Sequence, residues 1–323
     1  VYAQGKAYLA GPYKGAPLSI VAVVPAVSGP YDFGVVSVRN AAYVNPLTAR
    51  VTAVSDPLPQ ILEGVPLRIR SILINLDRPN FALNPTNCDP LSSEATVSGD
   101  EGGTASLGAN FQVANCADRP YGPKLSLRLT GGTKRRGHPA FHAVLKTGAG
   151  EANSRKISVL LPKGELLDNS HIGTVCTRVD FAKDACPAAS VLGDVEATTP
   201  LLDQPLKGKA YLRSSSHELP DLALDLEGQI DIEAVARIDS VKARLRTTFE
   251  SIPDAPLSEV ILDLRGGSKG LVTNSESLCG KPKRADVKMT GQNGAGVTSK
   301  VKLQAVCGKK ARHRRHNSGK AGR

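Results

Sequence analysis

Apolar and polar residues alternate with a period of two throughout this chain. Leu222, Leu224 and Leu226 are interleaved with Ala223, Asp225 and Glu227, and beyond Gly228 the rhythm resumes with Ile230 and Ile232 against Asp231 and Glu233. Val241, Ala243, Leu245 and Phe249 share one face of a run whose other face carries Lys242, Arg244, Arg246 and Thr248. Leu125, Leu127 and Leu129 do the same against Ser126, Arg128 and Thr130, and Val301, Leu303 and Ala305 continue one face up to Cys307. Such runs predict strands with one buried and one wet side, as in antiparallel sheets packed into sandwiches. Helix is expected in three short pieces: LPQILEG at 58–64, GELLD at 164–168, and TRVDFAKDA between Cys176 and Cys186.

The text also repeats. Cys88 and Cys116 are 28 residues apart, as are Cys279 and Cys307, and each pair follows a similar apolar run, RSILINL or SEVILDL. GKAYL occurs at 5–9 and again at 208–212. The repeat divides the chain into residues 16–118 (unit A1), 119–213 (a different unit, B) and 214–308 (a second copy, A2). Residues 1–15 then read as the terminal strand of a missing preceding B unit, and 309–323 as a disordered basic tail. The expected fold is all-β: tandem antiparallel β-sandwich-like domains with an A-B-A internal duplication, stapled by disulfides, with few short helices.

Composition fixes the compartment. The six cysteines contain no CxxC pair and no Cys/His cluster of zinc spacing, so they read as disulfides and the location as extracellular or cell surface. The equal spacings pair Cys88 with Cys116 and Cys279 with Cys307, leaving Cys176 for Cys186. The opening VYAQGKAYLAG has no Met, basic n-region or apolar core, so a signal peptide is absent from this segment. No apolar run approaches the ~18 residues of a membrane-spanning helix.

Several longer strings, among them AVSDPLP, LNPTNCDP, GGTKRRGHPA, CTRVDF, TPLLDQPLKGKAYLRSS, TTFESIPDAP and GQNG, are similar to segments of large secreted repeat proteins of actinobacteria. The likeness covers residues 1–308. It implies a secreted β-rich repeat architecture and brings no assigned activity and no functional residues.

His138 and His142 lie four apart in GHPAFH with Glu151 beyond, but Pro139 opposes the helix that would put both rings on one face, so no metal site is expected. His171 and His217 sit beside Ser170 and Ser216 without a GxSxG elbow, so no hydrolytic triad is expected. GGTK at 131–134 and GGSK at 266–269 lack the full phosphate-loop spacing and read as turns. The acids of DLEGQIDIE lack calcium-loop spacing and read as strand surface. Neither cofactor nor catalytic residue is expected.

Net charge is +11, yet the last fifteen residues hold seven cations and no acid, leaving 34 basic against 30 acidic residues over 1–308. Lys309, Lys310, Arg312, Arg314, Arg315, Lys320 and Arg323 are therefore the candidate polyanion contacts, toward anionic cell-wall polymers or surface glycans. Lys134, Arg135, Arg136, Lys242, Arg244, Arg246, Lys300 and Lys302 read as wet sheet faces that oppose edge-to-edge association. Scarce aromatics argue against nucleic acid. The leading expectation is a secreted or wall-associated structural or adhesive repeat protein without catalysis. The alternatives are an extracellular glycan- or anion-binding module and an enzyme with an unrecognised site. Oligomeric state is not legible.

Overall fold

The computed structural model describes residues 3–76, 78, 79 and 81–307. It is 49% strand and 5% helix, which places the chain in the all-β class with few short helices. The first part forms a meander of β1 (Lys6–Ala10), β2 (Leu18–Ser28), β3 (Tyr31–Val44) and β4 (Val51–Ser55). Two separate hairpins follow, β5 (Ile61–Leu62) with β6 (Val65–Pro66) and β7 (Leu91–Ser98) with β8 (Thr104–Phe111).

The second part contributes β9 (Lys124–Thr130), β10 (Ala140–Lys146), β11 (Ser154–Leu160), β12 (Glu165–Leu167), a one-turn helix α1 (Arg178–Phe181), and β13 (Val191–Thr198). It continues with β14 (Leu206–Arg213), β15 (Asp221–Glu227), β16 (Ile232–Val241), β17 (Arg244–Phe249), β18 (Glu259–Leu264), β19 (Val272–Asn274), β20 (Arg284–Gly291) and β21 (Gly296–Ala305).

Eleven of these strands close into one barrel, in the order β10-β18-β13-β14-β15-β16-β17-β11-β20-β21-β9. An odd number of strands cannot close with every neighbour antiparallel, and the exception here is the parallel pair β21/β9. The expected tandem sandwiches are therefore corrected over 124–305. The boundary drawn at 213/214 does not separate two cores, because β18 lies between β10 and β13, and β11 lies between β17 and β20. Alternation reports which face of a strand is buried but is silent on which strand lies beside it, so sandwich and barrel share one sequence pattern.

Of the residues the alternation indicates, Leu127, Leu129, Leu222, Leu224, Leu226, Leu245 and Leu303 are buried. Leu127, Leu129, Val195, Leu222, Leu224, Leu226, Ile238, Val287 and Leu303 belong to one buried cluster, onto which Phe141, Leu145 and Leu262 pack. Each such burial contributes about 1.5–3 kcal/mol. A second, small cluster lies on the outer face, where Phe181 of α1 and Cys176 cover Ala223 and pack against Tyr211 and Val235. Thr177 caps α1 by accepting from the Asp180 amide.

Three local expectations change. GELLD is strand β12, paired with β19. LPQILEG is the β5/β6 hairpin, whose turn residues Glu63 and Gly64 both have positive φ. The run 241–249 is folded back on itself at Lys242 and Ala243, also both at positive φ, so Val241 faces Arg244 across a two-residue hairpin turn.

The disulfides join Cys88 to Cys116, Cys176 to Cys186 and Cys279 to Cys307. By chain-entropy reasoning each closed loop stabilises by roughly 3 kcal/mol. Reduction is expected to lower the urea midpoint substantially, and equal midpoints with and without reductant would show that the bridges contribute little.

Candidate functional site

Two places gather titratable groups. The first forms where the β9–β10 connection meets the loops after β12 and β18. In that connection Gly131 and Gly132 have positive φ, and a Cβ on Gly132 would fall 2.4 Å from the His138 carbonyl. A Cβ on Gly266 would likewise lie within 3 Å of Pro139 and Ala140. The two GG texts thus pack around His138 and Pro139, and the Gly267 amide is spent on the His138 carbonyl. Neither loop cradles an anion by opening an α-helix; the second leads into a three-residue 3-10 turn.

His138 Nε2 donates to Asp168 Oδ2 (2.9 Å), while Asp168 Oδ1 accepts from the amide and hydroxyl of Ser170 (3.0 and 2.6 Å). His171 Nδ1 donates to the Gly270 carbonyl (2.7 Å), and the two imidazoles stack with centroids 4.0 Å apart and planes 14° from parallel. The Ser170 hydroxyl bond, then His138, holds the Asp168 carboxyl down to about 2. Ligand atoms of His138, Asp168 and His171 lie within 4.8 Å of one another, the only such group of three among the described residues.

Sequence reasoning weighed His138 and His171 separately and did not name Asp168; no local spacing links them. Their meeting warrants a test of two chemistries. A hydrolytic triad needs serine bonded to histidine, but Ser170 bonds to the carboxylate instead. A metal ion needs each imidazole lone pair in its ring plane at about 2.0–2.1 Å. Two nearly parallel rings stacked at 4.0 Å cannot both satisfy this for one ion unless a ring rotates. As arranged, the cluster is a clamp joining three loops. The adjoining cavity, about 30 Å³ and lined by Pro139, Phe141, Leu192, Leu264 and Leu271, is apolar and water-sized.

No family model, curated protein or solved structure matches this chain. The site must therefore be read from its own geometry.

The remaining sequence candidates stay apart. His142 Nδ1 donates to Asp263 on the facing rung of β18 (2.6 Å). His217 Nε2 donates to Asp221 Oδ1 (2.8 Å), and Arg213 donates to Oδ2 (3.1 Å). Glu151 closes against Gly148 and Gly122 and joins neither histidine. Among the sheet cations, Arg244 is taken up by Asp286 and the carbonyls of Leu160 and Leu161, and Arg246 by Asp239. The tail residues lie outside the described residues.

The second place is an open cleft of about 750 Å³ lined by Asp184, Asp225, Glu227, Asp231 and Glu233, with Lys207 and Pro46. The strand acids of DLEGQIDIE thus share a wall with the α1 loop. Burial, then repulsion from Asp184 and the neighbouring glutamates, pushes Asp225 up to about 6. Burial likewise raises Glu233, whose amide donates to Pro46 of the β3–β4 turn. The cleft's field attracts cations, but its carboxylates do not converge as a ligand set.

Proposed function

We propose that the chain is a secreted or cell-wall-associated structural or adhesive protein without a catalytic task, of the repeat type that its text resembles. The observation that carries this reading is the barrel interior, to which all eleven strands contribute aliphatic side chains. Such an interior supports a rigid body rather than a ligand chamber. Disulfides fit an oxidising compartment and resist unfolding there. No helix among the described residues is long and apolar enough to cross a membrane.

Adhesion is assigned to the basic stretch from Lys309 to Arg323, whose charge acts on polyanions such as wall polymers. Deleting residues 309–323 is expected to remove most of the salt-sensitive binding to isolated cell wall or anionic vesicles. Equal binding by the truncated protein at low salt would transfer the interaction to the folded faces and end the tail assignment.

A further inference from the structure

The meander β1–β4 repeats the register of β14–β17. From Leu9 the facing residues across the sheet are Ile20, Asn40 and Ser55; from Leu212 they are Leu222, Ala236 and Phe249. The glycine of each GKAYL is pressed on its neighbour strand at the same point. A Cβ on Gly5 would strike the Val23 carbonyl and Val24, and one on Gly208 the Asp225 carbonyl and Leu226.

The hairpins agree as well. In β7/β8 the Gly99 amide donates to the Gly103 carbonyl and Gly102 to Gly99; in β20/β21 Gly291 donates to Ala295 and Gly294 to Gly291. A disulfide spanning 28 residues brackets each hairpin.

These landmarks assign equivalent positions, and the equivalents differ in one respect. Leu9 is 63% exposed where Leu212 is 2%, and Val51 is 62% where Leu245 is 8%. Val97 is 53% exposed where Met289 is 2%, and Phe111 is 48% where Leu303 is 4%. The run 70–76, whose text matches strand β18, is not a strand, and Ile72, Leu73, Ile74 and Leu76 are all exposed.

Every neighbour that the second set has and the first lacks comes from one stretch. β14 is flanked by β13, β17 and β20 by β11, β21 by β9, and β18 by β10 and β13. On the outer face, Tyr211 lies under Phe181 of the Cys176–Cys186 loop, whereas its equivalent Tyr8 is 51% exposed.

We infer that β1–β4, the run 70–76 and β7–β8 form an open half-barrel whose binding partner is a polypeptide built like residues 119–205. That partner supplies four strands equivalent to β9, β10, β11 and β13, together with the disulfide loop. Its strands enter between the exposed edges, converting 70–76 into a central strand. The inference does not depend on the role proposed above.

The test joins a second copy of residues 119–205 directly ahead of Ala3 of the full chain, so that it runs into Ala3 as residue 205 runs into Leu206. Hydrogen exchange in peptides covering 6–10 and 70–76 is expected to slow at least tenfold. A control fusion carrying Ile157→Asp and Val195→Asp in the added copy is expected to leave exchange fast. Ala143→Cys in the added copy should also cross-link with Ile74→Cys, because Leu262, the equivalent of Ile74, faces Ala143. Unchanged exchange in the intact fusion, equal protection in the control, or absence of the cross-link would overturn the inference. Concentration-dependent protection of 70–76 in the unfused chain, with a dimer mass in sedimentation, would overturn it in favour of a second copy as occupant.

Discussion

Replacing Asp254 by Ala is expected to destabilise the protein by roughly 3 kcal/mol, because several buried donors lose their shared acceptor at about 1–3 kcal/mol each. Asp254 lies in the loop between β17 and β18 and accepts from Thr86 N and Oγ1 (both 2.7 Å), Asn87 N and Nδ2 (2.9 and 2.8 Å) and Asn153 Nδ2 (2.7 Å). Thr86 and Asn153 are themselves buried, so removing the carboxylate strands their donors away from water. The same knot holds the Cys88 loop to the barrel, since the Asn153 amide donates to Thr86 Oγ1.

Burial alone would raise this carboxyl's pKa, but the bonds from Thr86, Asn153 and Asn87 together outweigh burial and lower it from its ordinary 3.8. A depressed folded value gives stability that is present above 3.8 and lost as pH falls below it. The Ala variant should therefore show both a lower urea midpoint at pH 7 and a flatter acid limb below pH 4. An unchanged midpoint with Thr86 and Asn87 amides still protected would refute the role given to Asp254.

Glu165→Gln should act in the opposite direction. Glu165 is 1% exposed on β12, opposite Asn274 of β19, and its Oε2 and the Asn274 Oδ1 are both buried with no donor among the described residues. Burial pushes the Glu165 carboxyl up from 4.5 to about 7; Lys283 opposes this and Glu276 adds to it. Folded protein therefore keeps a proton that the unfolded chain has released, and stability falls as pH rises from 4.5 through about 7. At 1.36 kcal/mol per pKa unit the whole loss is roughly 3 kcal/mol.

The Gln variant keeps the shape and carries no charge to desolvate. It should match the parent near pH 4.5 and exceed it at pH 8. The difference between the two profiles isolates this residue from Asp225, which titrates in the same direction. Parallel profiles would place the burial penalty elsewhere.

The inner face of the barrel was legible because a strand's side preference is local: Leu222, Leu224 and Leu226 read as buried and are buried. Ala223 read as the wet side of the same strand and is also buried, because a loop forty residues upstream covers it. The hairpin at Lys242 and Ala243 was hidden for a different reason. It places two non-glycine residues at positive φ, where the usual turn signal is Asn-Gly or Asp-Gly.

Barrel and sandwich differ only in long-range pairing, such as that of Phe141 with Leu264, and no alternation encodes it. The clamp at His138 escaped for the same reason. His138 meets Asp168 across 30 residues and packs on His171, while the ring next to it in the text, His142, pairs with Asp263 on another strand. The absence of an enzyme-like signature in the text did not exclude a gathering of His, Asp and Ser. It took the bond partners within that gathering to show that its serine joins the carboxylate and not a histidine.

The parallel seam also sets an order of events during synthesis. β9 is the first barrel strand to be made and β21 the last, and they meet over only three rungs, Leu127 to Leu129 against Leu303 to Ala305. A nascent chain that has produced β9–β20 still carries an unpaired edge on β9, and no earlier strand takes that place in the ring. Closure must wait for nearly the whole domain, which makes it a slow step of high contact order and leaves an aggregation-prone intermediate. Cys307 stands two residues beyond the seam and bonds to Cys279 before β20. Oxidation of that pair fastens the final hairpin at the point where the ring shuts, so its appearance in pulse-labelled protein would time the completion of the barrel.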